Sequence, residues 1–290
     1  MTDLNETDLR EIALTDQEFL RRLPAAARTP ARINRFHTDY ALTRLVAANC
    51  AAIGEHADET NPTPLVIKGG FAVRHLYGSP RFSKDADLSM ESDDLGIAGE
   101  GPGLIKWPRD MKHEAKTADG LAGWIIFIKY RGPDGVERDT QCDLNDHTRA
   151  IKKRPPQRRL LRGLFLPPFP VWAARTEEIL GEKMFALVDS WWSSKNLRVK
   201  DAFDLRYVLL LDNEPVNAAE VQLTYNQHRV ATKDRKFPSL DQYLDTLRTI
   251  AATSAAAARW RDDVVDSVPD APALATATEE LCDLLRKRVL

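Results

Sequence analysis

Residues 68–90 read Lys68-Gly69-Gly70-Phe71-Ala72-Val73-Arg74-His75-Leu76-Tyr77-Gly78-Ser79-Pro80-Arg81-Phe82-Ser83-Lys84-Asp85-Ala86-Asp87-Leu88-Ser89-Met90. A short apolar run, Leu65-Val66-Ile67, leads into a glycine pair that opens a helical pattern. Backbone N–H groups then face outward at a helix start, where a phosphate can sit. Gly78 and Pro80 mark a turn, after which the chain re-enters as a strand. Strand side chains alternate, which puts Asp85 and Asp87 on one face and Ala86, Leu88 and Met90 on the other. Two like charges so placed repel unless a cation sits between them. Hard oxygen ligands beside phosphates are what Mg²⁺ uses, so the stretch predicts a nucleotide and metal site.

On the N-terminal side of this stretch, residues 6–23 carry a helical pattern closed by Pro24. Thr29-Pro30 is an N-cap and first-turn pair for a long helix over about residues 30–56. On the C-terminal side, residues 92–106 read as a loop. Two strands follow, 124–131 and 136–145, joined by a turn at Gly132-Pro133-Asp134-Gly135. In the second strand Gln141 and Asp143 share one face and Cys142 and Leu144 the other. Asp143 is therefore either a third carboxylate for the Asp85/Asp87 site or a solvated edge-strand aspartate.

Residues 149–162 hold Arg149, Lys152, Lys153, Arg154, Arg158, Arg159 and Arg162, with no acid among them and Pro155-Pro156 in the middle. Like charges crowded into a loop repel, so the stretch either meets a polyanion such as RNA or is a solvated charge run. After a short strand at 169–172 the pattern turns helical, over about 176–192, 196–211, 216–229, 238–258 and 271–288. This change sets a domain boundary, giving residues 1–170 and 171–290. Placing residues at 100° intervals puts Lys183 inside the apolar face of the first of these helices. On the next, Asp201 falls between Leu205 and Val208, and Asp204 lies at the margin. Lysine is rarely buried without a partner, and an inward one suits a phosphate as a compact point charge. The alternatives are a snorkelling lysine, or an ion pair that ties two helices together.

With 290 residues, the chain has length for one large domain or two ordinary ones. Its 41 basic and 43 acidic residues nearly balance, so any basic surface must be local. Cys50, Cys142 and Cys282 are far apart and odd in number, which fits neither a zinc cluster nor a disulfide framework and points to reduced, cytoplasmic thiols. The N-terminal residues are acidic and polar, and no apolar run is long enough to span a bilayer, so no membrane association is expected.

Taken in order, five segments carry a family resemblance. They are Gly69-Gly70; Arg81-Phe82-Ser83-Lys84-Asp85-Ala86-Asp87-Leu88; Gln141-Cys142-Asp143-Leu144; Thr176-Glu177-Glu178-Ile179-Leu180-Gly181-Glu182-Lys183; and Val199-Lys200-Asp201-Ala202-Phe203-Asp204-Leu205. Over about residues 65–211 the chain resembles the AbiEii-type, MenT-like nucleotidyltransferase toxins of the DNA-polymerase-beta-like superfamily. The resemblance implies an α+β fold, a nucleotidyltransferase-like mixed sheet with flanking helices, followed by a helical C-terminal half that completes the active-site cleft. It implies a toxin of a bacterial toxin–antitoxin or phage-defence system, with an AbiEi-type antitoxin as partner. The implied activity is transfer of nucleotides from an NTP to RNA, with the 3′ end of tRNA as acceptor, which blocks translation.

Carried over by motif, Asp85 and Asp87 hold Mg²⁺ and Ser83 lies beside the triphosphate; the chemistry of the transfer asks for Asp143 as a third metal carboxylate if its strand lies beside theirs. Gly69, Gly70 and Lys84 complete the nucleotide site, Lys183 contacts phosphates, and Asp201 is a further essential acid. For the RNA, Lys152, Lys153, Arg154, Arg158 and Arg159 are the candidate phosphate contacts and Trp192 a candidate stacking ring. Two other readings use the same residues. One keeps the fold with a small-molecule or protein acceptor, and the other is a catalytically inactive module that binds RNA or the antitoxin.

Overall fold

A computed structural model describes residues 14–23, 28–53, 65–90, 105, 107–117, 123–146, 156–193, 197–211, 215–232 and 237–290. Contacts divide the chain into two units, one running to Gly78 and from Phe82 to Ala173, the other made of Ser79–Arg81 and Ala174–Leu290.

In the first unit two helices precede the sheet, α1 (Asp16–Arg22) and α2 (Pro30–Ile53). A capping box starts α1: the Glu18 N–H donates to Thr15 Oγ1, and the Thr15 N–H donates to the Glu18 carboxylate. The apolar run before the glycine pair becomes β1 (Val66–Lys68), and the glycines open α3 (Gly69–Tyr77). The remaining strands are β2 (Asp85–Met90), β3 (Met111–Thr117), β4 (Gly123–Arg131), β5 (Glu137–Asp146), β6 (Gln157–Leu161) and β7 (Phe169–Ala173). They form one sheet in the order β3-β4-β5-β2-β1-β7-β6, with β2 parallel to β5, β1 parallel to β7, and the other pairs antiparallel.

Burial alternates along the central strands, and it explains why the sheet is polar on one side only. Ala86, Leu88, Ile126, Ile128, Cys142 and Leu144 are buried. On that side α3 packs against β1, β2 and β6, and α2 against β5 and β7. A cluster of rings closes the core beside α1 and α2: Phe19 stacks on Phe165 at 4.8 Å, and Phe36 meets Phe82 edge-on at 4.5 Å.

The second unit is helical: α4 (Thr176–Trp192), α5 (Lys200–Leu211), α6 (Ala218–Ala231), α7 (Leu240–Ala251), α8 (Ser254–Trp260), a π-helical turn (Arg261–Val265) and α9 (Leu274–Arg288). Its core holds Leu180, Met184, Leu187, Leu205, Val208, Tyr225, Tyr243, Leu281 and Leu285. The two buried tyrosines satisfy their hydroxyls on carbonyls, Tyr225 on Pro238 at 2.8 Å and Tyr243 on Met184 at 2.9 Å. The expected fold class, a mixed sheet with flanking helices followed by a helical half, is the observed one.

Three elements differ from the expectation. Strand β3 was not foreseen because Lys112, His113, Glu114 and Lys116 are all exposed on an edge strand, which erases the alternation that announces a strand. Residues 157–161, expected in a basic loop, form β6 against β7. The helix expected over 238–258 breaks after Ala251, where the Thr253 hydroxyl accepts from the Ala256 N–H and starts α8. The expectations for residues 6–13 and 92–104 lie outside the described residues.

Candidate active site

In the sheet unit, pairing gathers the strand carboxylates. Asp87 stands opposite Asp143 and Asp85 opposite Gln141 on the parallel strands β2 and β5. Asp85, Asp87 and Asp143 thus share one face and are half-buried. The sequence left Asp143 between two roles, and the register places it beside Asp87. Ser83 is buried, and its hydroxyl donates to Asp85 Oδ1 at 3.3 Å. Lys84 is exposed, and its carbonyl accepts from the Thr140 hydroxyl on β5. Lys68, which sequence reasoning did not single out, stands opposite Asp87 on β1. Its signal was weak, since a lysine at a strand end is ordinary.

The glycine pair has a sharper steric reason than the sequence offered. Gly69 has φ +63°, and a Cβ there would lie 1.7 Å from Asp87 Oδ2. The space a side chain would fill is taken by the carboxylate of Asp87. Lys68 supplies no side-chain cap to α3, so the positive end of the helix faces that carboxylate from close by. Gly70 is buried in the first turn.

Phe82 fixes the segment that leads to Ser83. It lies in the ring cluster, and the Arg74 guanidinium sits 4.0 Å from its ring centroid. Arg74 is itself held by Asp39 at 2.7 Å, and Asp39 also takes His75 at 3.0 Å. Burial pushes the Asp39 carboxyl up, but Arg74 and His75 more than offset it and hold the group ionised.

Among the described residues no three carboxylate, histidine or cysteine groups form a ready-made metal cage. Mg²⁺ seldom uses one, since it keeps several waters and takes one or two carboxylates plus substrate phosphate oxygens. The donors here are hard oxygens on adjacent strands, half-buried and facing one way, which fits that mode. Cys142, on the opposite face, is no rival ligand. Burial pushes its thiol up to about 12, helped by the charges of Asp143 and Asp87.

In the helical unit the inward lysine and aspartate meet, and they bring two partners. Lys183 Nζ donates to Asp201 at 2.9 Å and to Asp204 at 2.6 Å. Arg81 makes a two-pronged bond to Asp204, at 2.8 and 2.6 Å, and Arg198 donates to Asp201 at 2.7 Å. Asp201 and Asp204 are fully buried and Lys183 is 4 % exposed. Burial raises both carboxyls, but Lys183 with Arg198 for Asp201, and Arg81 with Lys183 for Asp204, bring them below the ordinary range. Burial lowers Lys183, and Asp201 and Asp204 more than offset it, so the ammonium is kept.

Asp204, placed at the helix margin by projection, is thus as central as Asp201. Arg81 was not assigned a role at all. An arginine in a loop carries no periodicity, and its partner lies 123 residues away.

The remaining candidates scatter. Lys152, Lys153 and Arg154 lie outside the described residues. Arg158 and Arg159 are neighbours on β6, so they point to opposite faces. Arg158 shares the face of Trp172 and, across β1, of Asp87; Arg159 turns to the helix side, 5.3 Å from the Tyr77 ring centroid. Trp192, at the end of α4, is 51 % exposed, and Trp191 is half-buried. No helix among the described residues is long and apolar enough to cross a membrane.

A search of curated proteins finds no match. Among solved structures, MenT4, a nucleotidyltransferase toxin from Mycobacterium tuberculosis H37Rv, is similar at a TM-score of 0.57 and 16 % identity, over 97 % of this chain and 88 % of that one. A putative nucleotidyltransferase from H. pylori is similar at a TM-score of 0.47 and 18 % identity, over 91 % and 95 %. The family described as nucleotidyl transferase AbiEii toxin, type IV TA system, matches residues 55–286 and so extends well past the segments first recognised. By that match across most of its length, the chain belongs to the AbiEii nucleotidyltransferase toxins of type IV toxin–antitoxin systems.

Proposed function

We propose that this toxin transfers nucleotides from an NTP to RNA, with the 3′ end of tRNA as acceptor, and so blocks translation in the cytoplasm until an AbiEi-type antitoxin counters it. The observation that supports this most is the placing of Asp85, Asp87 and Asp143 on one half-buried sheet face, in a chain of this family.

The reaction needs a hydroxyl to attack the α-phosphorus in line while the bond to the β-phosphate oxygen breaks and pyrophosphate leaves. Asp85 and Asp87, with Asp143, would hold Mg²⁺, whose charge lowers the pKa of the attacking hydroxyl and neutralises the leaving oxygens. Ser83 orients Asp85 through its hydroxyl and, as the family motif implies, would lie beside the triphosphate. Gly69 keeps Asp87 seated against the start of α3. Lys84, exposed at the edge of β2, and Gly70 in the first turn of α3 line the nucleotide site. By the family motif Lys183 would contact a phosphate; in the helical unit it is held by Asp201 and Asp204.

Labelled NTP, each of the four in turn, is incubated with total tRNA, Mg²⁺ and the purified chain. Transfer from at least one NTP is expected, with loss in Asp85→Ala and in Asp87→Ala while both proteins keep their far-ultraviolet circular dichroism. Undiminished transfer in both variants would overturn the proposal.

A further inference from the structure

The face that carries Asp85, Asp87 and Asp143 also carries an aromatic ring. Phe127, in the middle of β4, is 41 % exposed. It stands opposite Gln141, which stands opposite Asp85. With strands spaced about 4.8 Å apart, its backbone is about 10 Å from that of Asp85, within reach of one nucleotide. Lysines surround the ring: Lys116 Nζ is 5.1 Å from its centroid, Lys129 follows two residues along β4, and Lys112 stands opposite Lys129. The acidic neighbours on the same face are Glu114 and Asp139. A solvent-facing ring with ammonium groups around it is how a sheet holds an unpaired nucleotide, the ring taking the base and the cations its phosphates.

In-line displacement says which nucleotide. Across the sheet the order is Phe127 on β4, Asp143 on β5, Asp85 and Asp87 on β2, then Lys68 on β1. Gly69, assigned above to the triphosphate, directly follows β1, on the far side of the carboxylates from Phe127, and Ser83 lies at the start of β2 between them. Pyrophosphate therefore leaves toward β1, and the attacking hydroxyl arrives from β5 and β4. We propose that Phe127 is a stacking platform for a base at the 3′ end of the acceptor RNA, with Lys116, Lys129 and Lys112 taking its phosphates. This rests on the NTP-to-RNA reading above. The Lys116 side chain is 61 % exposed and its Nζ also lies 3.3 Å from Glu114 Oε1; at the surface both holds are weaker than base stacking, so an arriving base displaces the ammonium toward phosphate.

The test uses an oligoribonucleotide with 2-aminopurine at its 3′-terminal position, whose fluorescence is quenched by stacking, and 2-aminopurine riboside triphosphate as a second probe. The full chain should quench the RNA probe. Phe127→Ala should weaken that binding about five- to a hundredfold, Phe127→Trp should restore it, and neither should alter binding of the triphosphate. Unchanged RNA quenching in Phe127→Ala overturns the platform, and so does a loss confined to the triphosphate. The two proposals fail separately: absence of transfer from every NTP removes the catalytic reading, whereas unimpaired transfer with an unchanged KM for RNA in Phe127→Ala removes only the platform. Because Phe127 is solvent-facing, the variants should melt with the parent, and Lys129→Glu supplies a second variant expected to weaken the RNA probe alone.

Discussion

Asp201 and Asp204 in the helical unit are sealed from water, whereas Asp85, Asp87 and Asp143 in the sheet unit lie half-buried on a strand face. Both groups are aspartates close together, and each solves the repulsion differently. The sealed pair is surrounded by Arg81, Lys183 and Arg198, each at 2.6–2.9 Å, so its charge is answered permanently by the protein. The strand carboxylates stand in register on one half-buried face, where the proposed function would have an ion and phosphates meet them. Buried and matched charge is how a fold holds a segment in one place. Reachable charge is how it meets a substrate. The sealed network also holds Arg81, which precedes Phe82 and Ser83 by one and two residues.

The contrast breaks most visibly in stability. Asp204→Ala leaves Arg81 and Lys183 buried without their shared carboxylate, a loss of about 3–5 kcal/mol. Asp85→Asn, at a half-buried position of nearly equal shape, should stay within about 0.5 kcal/mol of the parent. Activity should invert part of that order: Asp85→Asn lowers transfer by a factor on the order of 10²–10³ with the fold intact. Urea unfolding of both variants, with labelled-NTP transfer on each, checks the pair. If Asp204→Ala unfolds no more easily than Asp85→Asn, the sealed network is not a structural clasp.

Acid separates the units next. Asp201 and Asp204 have folded pKa values below the unfolded value of about 3.9. Their stabilisation is complete above that value and is lost only as pH falls below it. In the sheet unit His37 is fully buried, stacked on Phe19 at 4.2 Å. Burial, then Arg138, push it down to about 4, against the opposing pull of Asp134. The unfolded chain takes up this proton below about 6.5 and the folded one refuses it until about 4, so stability is lost across that window, about 2 kcal/mol of it by pH 5. Hydrogen exchange at pH 7 and pH 5 should therefore show sheet-unit amides opening first, and His37→Asn should remove the difference. Earlier opening of the helical unit would reverse the comparison.

What was legible in the sequence follows from range. Alternation at Asp85 and Asp87 and the 3.6-residue period that turns Lys183 and Asp201 inward are local, and the structure has both. Helix α4 has the bounds its pattern announces. Long-range pairing was not legible: the parallel register of β2 with β5 decides where Asp143 stands, and nothing near residue 143 encodes it. The same holds for Arg81 with Asp204. Phe127 was hidden for another reason, since an aromatic residue in a strand reads as core until its neighbours show the face to be open.

The smallest effect tests whether facing, rather than charge, selects RNA contacts. Arg158 and Arg159 were equal members of a basic run, yet β6 turns Arg158 to the carboxylate face and Arg159 to Tyr77. If RNA lies along the carboxylate face, Arg158→Ala removes about one phosphate contact and lowers the slope of log affinity against log salt by about 1. Arg159→Ala should leave that slope alone and cost about 0.5–1 kcal/mol of stability through the lost cation–π contact. Filter binding of tRNA over a salt series, with thermal melts of both variants, measures the two together. Equal slope changes in the two variants would mean that the run binds as a diffuse charge, and the strand's two faces would carry no meaning for RNA. A change in Arg158 alone would mean that the face a side chain takes on β6, and not its charge alone, selects the RNA contact.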